Sequence, residues 1–358
     1  MNNISLPLDK LCENLKSQVP PLLKKNNIPG LALCMFKGDK IILNLEFGVK
    51  NSQTKEPIDA RTVFEGASFT KPMIGYAALK LCQQGLLSLD KPLRSYLVAP
   101  YKGDPPLLEK VTLRHILSHY SGFPEYMLGP LEPLMFAFYP GSKYGYSNSG
   151  FNYLAHVIEN LIEMPIADYL KQTILIPLQM NDSSFIWEPR YESQAATPHN
   201  RKGEPVEKWK PKKVVGACSL HTTPTDFAKF MISIIHQAKQ SSNEQAINML
   251  DEQVSAEKGI FTSLGWGIEK TVQGDVFYHA GNTVTFKSMA AAFREQELGV
   301  VFMTNSISGY HIFENMLALT LGGNHKAISD IEEFDKEDLV IDAIGENYLV
   351  NWWYAYSI

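Results

Sequence analysis

A serine followed three residues later by a lysine can make a nucleophile, and the chain offers this pairing at Ser52/Lys55, Ser68/Lys71 and Ser255/Lys258, and again at Ser88/Lys91 after Gly85. A hydroxyl attacks a carbonyl only when a base removes its proton. A lysine is such a base only when burial or neighbouring cations depress its pKa. Context separates Ser68/Lys71 from the others. Ser52 sits in NSQTKEP, a polar turn before Pro57, and Ser255 lies in a charged stretch beside Gly259. Ser68 alone opens a long apolar run, FTKPMIGYAALKLCQQ, whose periodicity predicts a helix over 69–84 ended by Gly85. Proline is tolerated only in a helix's first turn, so Pro72 sets Ser68 at the helix start. The spacing then places Ser68 and Lys71 on one face. The helix dipole favours negative charge at the serine oxygen, and the apolar residues after Lys71 would bury its amine. The ordinary alternative is a capping serine with a solvated lysine.

Two further groupings occur once each. Tyr146-Ser147-Asn148 lies in PGSKYGYSNSG. In an extended loop, residues two apart point the same way. The phenol could then pass a proton to a leaving group while the amide holds a substrate carbonyl. The alternative is a turn whose tyrosine only packs. His279-Ala280-Gly281 ends the strand-like run DVFYHA. There the histidine would face a cleft and the glycine would let a substrate backbone approach, or the histidine simply ends a strand before a turn. His115 and His119 have the helical i, i+4 spacing of a metal pair, but no third ligand is apparent and no metal is expected. GYSNSG (145–150) exceeds the nucleophile elbow G-x-S-x-G by one residue and follows no strand, which excludes an α/β-hydrolase.

These groups need elements to hold them. Residues 6–25 predict an amphipathic helix with Leu8, Leu11, Leu15, Val19 and Leu22 on one side. Two strands, 31–36 and 41–49, flank the turn Gly38-Asp39-Lys40 as a hairpin. The middle, about 90–260, is mostly helical and loop-rich, with its clearest helices at 153–161 and 225–236. Strands return at 275–279, 284–292 and 298–304, before a helix near 310–321. The expected class is α/β (α+β): an antiparallel sheet flanked by helices, with an inserted helical region. The sheet part is placed at about 1–65 and 260–325, the helical region at 66–259, and an extension at 326–358. A small-molecule site belongs in the cleft between sheet and insert.

Composition removes several classes. The 358 residues suit one large or two interleaved domains, and the net charge of −5 gives no general pull toward nucleic acid. No run of about 18 apolar residues occurs, so no membrane span is expected. The first residues, MNNISLPLDKLCENLK, lack a basic start followed by an apolar run. A cytoplasmic protein is therefore expected, or a periplasmic one if a leader was removed. Cys12, Cys34, Cys82 and Cys218 form no C-x-x-C pair, so they read as small buried apolar groups without zinc, redox role or disulfide. KWKPKK (208–213) reads as a solvated loop. The apolar stretch Phe123–Tyr139 lines an acyl pocket or packs the helical region. After an acidic stretch at 328–338, the aromatic end NWWYAYSI is expected to dock on the protein's own surface or on a second copy, as a homo-oligomer.

The three motifs, in this order and on these elements, resemble the penicillin-recognising serine hydrolases, which combine S-x-x-K with two further motifs. With Y-x-N as the second, the chain is similar to the branch holding class C β-lactamases, DD-peptidases and β-lactamase-like esterases. Further similarity runs through FEGASFTKPMIGYAALKLCQQGLLSLDKPLRSYL, VTLRHILSHYSGFP, YSNSGFNYLAHVIE, GACSLHTTPTDFAKF, LGWGI and VVFMTNS, covering about 25–320. The resemblance implies a β-lactamase/transpeptidase-like fold, no cofactor and an acyl-enzyme. Ser68 would attack, Lys71 and Tyr146 would handle protons, and Asn148 would position substrate. The N–H groups of Ser68 and Asn282 would hold the oxyanion. The third motif departs from the K-T-G of class C enzymes, and no K-[ST]-G occurs in the chain. A histidine is mostly neutral at pH 7, so His279-Ala280-Gly281 resembles the peptidase and esterase versions, and efficient β-lactam hydrolysis is not expected. The implied substrate is a small ester, an amide or a D-amino-acid peptide. The missing leader shifts the expectation from a cell-wall peptidase toward an esterase or intracellular peptidase. The alternatives are a weak β-lactamase or penicillin-binding DD-peptidase, an acyltransferase, and a non-catalytic binding or assembly protein. Retention of Ser68, Lys71 and Tyr146 together argues against the last.

Overall fold

In the computed structural model, which describes residues 7–125, 133–240, 247–257 and 259–325, the hairpin forms as its turn dictates. Strands β1 (Gly30–Lys37) and β2 (Lys40–Gly48) pair antiparallel from Lys37 opposite Lys40, and Gly38 takes the left-handed φ of +61° that the tight reversal needs. A short strand β3 (Phe64–Ala67) pairs with β4 (Leu220–Thr222). The remaining strands are β5 (Val254–Glu257), β6 (Ile260–Thr262), β7 (Gly267–Thr271), β8 (Gly274–Asn282), β9 (Lys287–Phe293) and β10 (Leu298–Thr304). The main sheet has the order β2-β1-β10-β9-β8-β7-β6-β5, antiparallel throughout. Both ends of the chain therefore build one sheet, joined where β1 pairs with β10.

The helices are α1 (Leu8–Lys25), α2 (Thr70–Gln83), α3 (Leu113–Leu117), α4 (Asn148–Ile162), α5 (Ile166–Leu170), α6 (Tyr191–Gln194), α7 (Pro224–Gln240) and α8 (Phe313–Thr320). Period-two alternation sends each strand's side chains into two cores. Leu31, Leu33 and Met35 of β1 join Val300 and Phe302 of β10 beneath α1 and α8. Ala32, Cys34 and Phe36 join Val301 and Met303 in the larger core shared with α2, α4 and α7. Phe277 of β8 faces this second core, so His279 and Gly281, two and four residues on, face the helical layer too.

Some expectations shift. The buried stripe of α1 is Leu11, Leu15, Val19 and Leu23, while Leu8 stays 43% exposed and Leu22 is only half-buried. Steps of four overshoot a 3.6-residue turn, so the stripe drifts to Leu23. The second late strand begins at Lys287 and not at 284, because Val284 turns the chain at φ +67°. The KWKPKK loop is not merely solvated: Trp209 is buried against Ala217 and Cys218, and Lys208 donates to the Glu192 and Ala195 carbonyls. All four cysteines are free thiols; Cys34 and Cys218 are buried, Cys12 and Cys82 half-buried. Lys258, the acidic stretch 328–338 and the aromatic end lie outside the described residues. No described helix is long and apolar enough to cross a membrane.

Candidate active site

Ser68 leaves the sheet on a sharp corner. The β3–β4 pairing shifts register between Glu65 and Ala67, and Ala67 holds a left-handed φ of +50°, costly for a residue with a side chain. Two bonds close the corner: Phe69 N–H to the Gly66 carbonyl at 3.0 Å and Lys71 N–H to the Ser68 carbonyl at 3.0 Å. The Thr70 hydroxyl donates to the Ala67 carbonyl at 2.6 Å and accepts Leu220 N–H at 2.9 Å, fastening the corner to β4. Regular helix begins at Thr70, so Ser68 stands just ahead of α2 and Pro72 lies in its first turn.

One oxygen gathers the site. Lys71 Nζ lies 2.8 Å from Ser68 Oγ, and the Tyr146 hydroxyl donates to the same Oγ at 2.9 Å. The Lys71 amine is fully buried and also donates to Asn148 Oδ1 at 2.7 Å and the Ala217 carbonyl at 3.0 Å. Burial pulls Lys71 down to about 7, with Cys218 and Glu125 nearby opposing part of the shift. When neutral, the amine has two N–H bonds, which Asn148 Oδ1 and the Ala217 carbonyl can absorb. Its lone pair is then left for the serine proton. Burial moves Tyr146 in the opposite sense, well above the ordinary phenol value, so it remains a proton donor. With Oδ1 of Asn148 committed to Lys71, its Nδ2 is the donor the side chain can offer elsewhere.

The third motif closes on this group from the sheet. A Cβ on Gly281 would lie 2.7 Å from the Gly66 carbonyl oxygen and 3.5 Å from Ala67 Cβ. In this structure the glycine lets β8 approach the strand that leads into Ser68. His279 is buried, and its Nδ1 bonds the Ala280 carbonyl at 2.7 Å, which makes Nδ1 the protonated nitrogen. Burial, with Lys71 close by, pushes its pKa down to about 3, so the ring is neutral. Asn282 follows; its Oδ1 accepts Val284 N–H at 2.9 Å and Lys287 Nζ at 2.5 Å, which sets the backbone bend after Gly281.

Ser52, Lys55 and Ser255 have other surroundings. Ser52 contributes a backbone N–H to His199 Nε2 at 3.0 Å, and Lys55 is exposed. Ser255 is exposed on β5. Ser147 of the near-elbow caps α4, accepting Gly150 N–H at 3.0 Å. His115 caps α3 in a reciprocal box with Thr112. Phe123 packs edge-on against Phe136 and Tyr153, and residues 126–132 of the apolar stretch lie outside the described residues.

Sequence reasoning misses the supports. Asn152, one helical turn beyond Asn148, accepts Ala217 N–H at 3.0 Å and so holds the carbonyl that receives Lys71. Its i, i+4 offset from Asn148 is the signal that could have found it. Glu65, on the strand before Ser68, is buried, and burial raises its carboxyl to about 8.

The chain matches the Beta-lactamase family over residues 15–319. It is 29% identical over 192 residues to Penicillin-binding protein 4* of Bacillus subtilis, covering 48% of this chain and 41% of that protein. It is 24% identical over 318 residues to Protein flp of Staphylococcus aureus, covering 80% and 62%. The chain thus spans less than two thirds of the length of these curated relatives. Among solved structures, an octameric penicillin-binding protein homologue from Pyrococcus abyssi superposes with a TM-score of 0.75 at 24% identity, covering 88% of this chain and 78% of the other. A mutant of a class C β-lactamase gives 0.75 at 20% identity, covering 89% and 98%. These likenesses carry the fold, a β-lactamase/transpeptidase-like antiparallel sheet with helices. With the match spanning most of its length, the chain belongs to the β-lactamase family of serine hydrolases.

Proposed function

We propose that the protein is a serine hydrolase that cleaves an ester, or an amide of the D-amino-acid peptide type, through a Ser68 acyl-enzyme. The observation that carries this reading is the Ser68 oxygen, held between the buried Lys71 amine at 2.8 Å and the Tyr146 hydroxyl at 2.9 Å. Neutral Lys71 takes the serine proton as Oγ attacks the substrate carbonyl. The Tyr146 hydroxyl passes a proton to the departing alcohol or amine, and Asn148 Nδ2 holds the acyl side of the substrate. The N–H groups of Ser68 and Asn282 receive the oxyanion, a reading supported by the contact between Gly281 and Gly66. Water then attacks the acyl-enzyme along the same proton path in reverse. No step calls for a metal or cofactor.

Neutral His279 in place of a lysine supports an ester or peptide over a β-lactam, whose carboxylate would lack a charged partner at this point. The reading is tested by intact mass after incubation with a fluorophosphonate and, separately, with a penicillin. We expect one fluorophosphonate adduct, mapped to Ser68 and absent from Ser68→Ala, with slow modification by penicillin. An unmodified chain, or an adduct elsewhere, refutes it.

A further inference from the structure

Three consecutive residues, Gly145 and the first two of the second motif, Tyr146 and Ser147, are gripped by one residue outside it. His119 follows α3 at a left-handed φ of +58°. Its carbonyl accepts Gly145 N–H at 2.9 Å. Its ring lies against the ring of Tyr146, with centroids 4.4 Å apart and planes inclined by 30°. Its Nδ1 accepts Ser147 N–H at 3.1 Å. The pairing of the two loops continues beyond the grip, because Gly141 N–H donates to the Tyr120 carbonyl at 2.7 Å and Ala137 N–H to the Gly122 carbonyl at 2.8 Å. The side chain is buried, and Tyr144 and Phe151 complete the ring wall around it. A nitrogen that accepts an N–H carries no proton, so the imidazole is the neutral Nε2–H tautomer. Burial, with Lys71 and His279 facing it, holds the ring well below its ordinary pKa, so the acceptor persists across the working range.

We propose that His119 is a positioning residue for Tyr146, fixing the plane of the phenol and the backbone on either side so that its oxygen stays on Ser68 Oγ during proton transfer. Tyr146 reaches Ser68 through a single bond at the tip of a long side chain. A pivot of the ring about its root moves that tip furthest, and a misplacement of about 1 Å in a catalytic group costs on the order of 10²-fold in rate. The stack opposes rotation of the ring, and the two backbone bonds oppose sliding of the loop. The inference rests on the reading of Ser68 as nucleophile and Tyr146 as proton carrier.

The test compares His119→Phe, which keeps a stacking ring and loses the acceptor, with His119→Asn, which keeps an acceptor and loses the stack. Each is made alone and in a Tyr146→Phe background. kcat/KM is measured on two esters with the same acyl group, one leaving p-nitrophenol and one a simple alkyl alcohol. An alkyl alcohol needs a proton to depart, and p-nitrophenol does not. Each single variant should therefore lose about ten- to a hundredfold on the alkyl ester and under about threefold on the activated one. Added to Tyr146→Phe, neither should cost more than about twofold, because the group it serves is gone. Equal losses on the two esters, full additivity with Tyr146→Phe, or wild-type behaviour of both variants overturns the proposal. Either variant decides the matter if the other fails to fold. A wild-type chain that does not label at Ser68 with fluorophosphonate removes the hydrolase reading itself, and this inference with it.

Discussion

Gly281 and Gly66 meet backbone to backbone: a Cβ on Gly281 would stand 2.7 Å from the Gly66 carbonyl oxygen, closer than real Cβ atoms come. The obstacle is main chain and cannot rotate away. Gly281→Ala should therefore force β8 off the nucleophile strand, lower stability by roughly 1–3 kcal/mol and slow Ser68 labelling at least about tenfold. Thermal unfolding and labelling rate check both. An unchanged labelling rate would show that the contact does not set the site.

The proposed nucleophile, Ser68, separates from its look-alikes. Ser68→Ala should abolish ester hydrolysis, a loss of several orders of magnitude. Ser52→Ala and Ser255→Ala should leave turnover near wild type, since Ser52 bonds His199 through its backbone N–H and Ser255 is exposed. Near-normal turnover by Ser68→Ala would sink the assignment.

The proposed base, Lys71, has a pH signature. Burial lowers Lys71 from 10.5 to about 7, so its neutral, proton-accepting form predominates above about pH 7. kcat/KM for an uncharged ester should rise with pH through that region and be lost tenfold per unit below it. Lys71→Arg should be inactive at every accessible pH, because a guanidinium does not give up its proton. An arginine variant with a tenth of wild-type activity would make Lys71 an electrostatic group only.

At the third motif, neutral His279 offers a carboxylate no charge. A charge-assisted hydrogen bond contributes roughly 1.5–3 kcal/mol, so His279→Lys should speed acylation by penicillin about ten- to a hundredfold. Timed intact-mass measurements follow the adduct. Rapid penicillin turnover by the wild type, near the diffusional range, would refute the argument.

The sequence carries the chemistry better than its supports. Ser68, Lys71, Tyr146, Asn148 and His279 are legible because their types are reactive and their spacings repeat helix or strand periods. Strands β3 and β4, four and three residues long, are too short for a period to show. Strands β5 to β7 are brief and glycine-punctuated, so their stretch reads as helix and loop or as nothing. His119 shows in the sequence only as half of an i, i+4 pair with His115. Its grip on residues 145–147 arises because two loops run alongside each other, and no local pattern records that.

The pairing of β1 with β10 has a consequence for how the protein is made. Leu31 lies opposite Thr304 and Lys37 opposite Leu298, partners separated by most of the chain. On the ribosome the β1–β2 hairpin can close early, but the inner edge of β1 waits until β10 emerges. That edge carries Leu31, Leu33, Cys34, Met35 and Phe36, all buried in the finished fold. A nascent chain therefore exposes an apolar, unpaired strand through nearly its whole synthesis, the kind of edge that recruits other strands. Expression yield should depend on chaperone supply, and a premature stop before β10 should leave an aggregating fragment in place of a smaller folded protein.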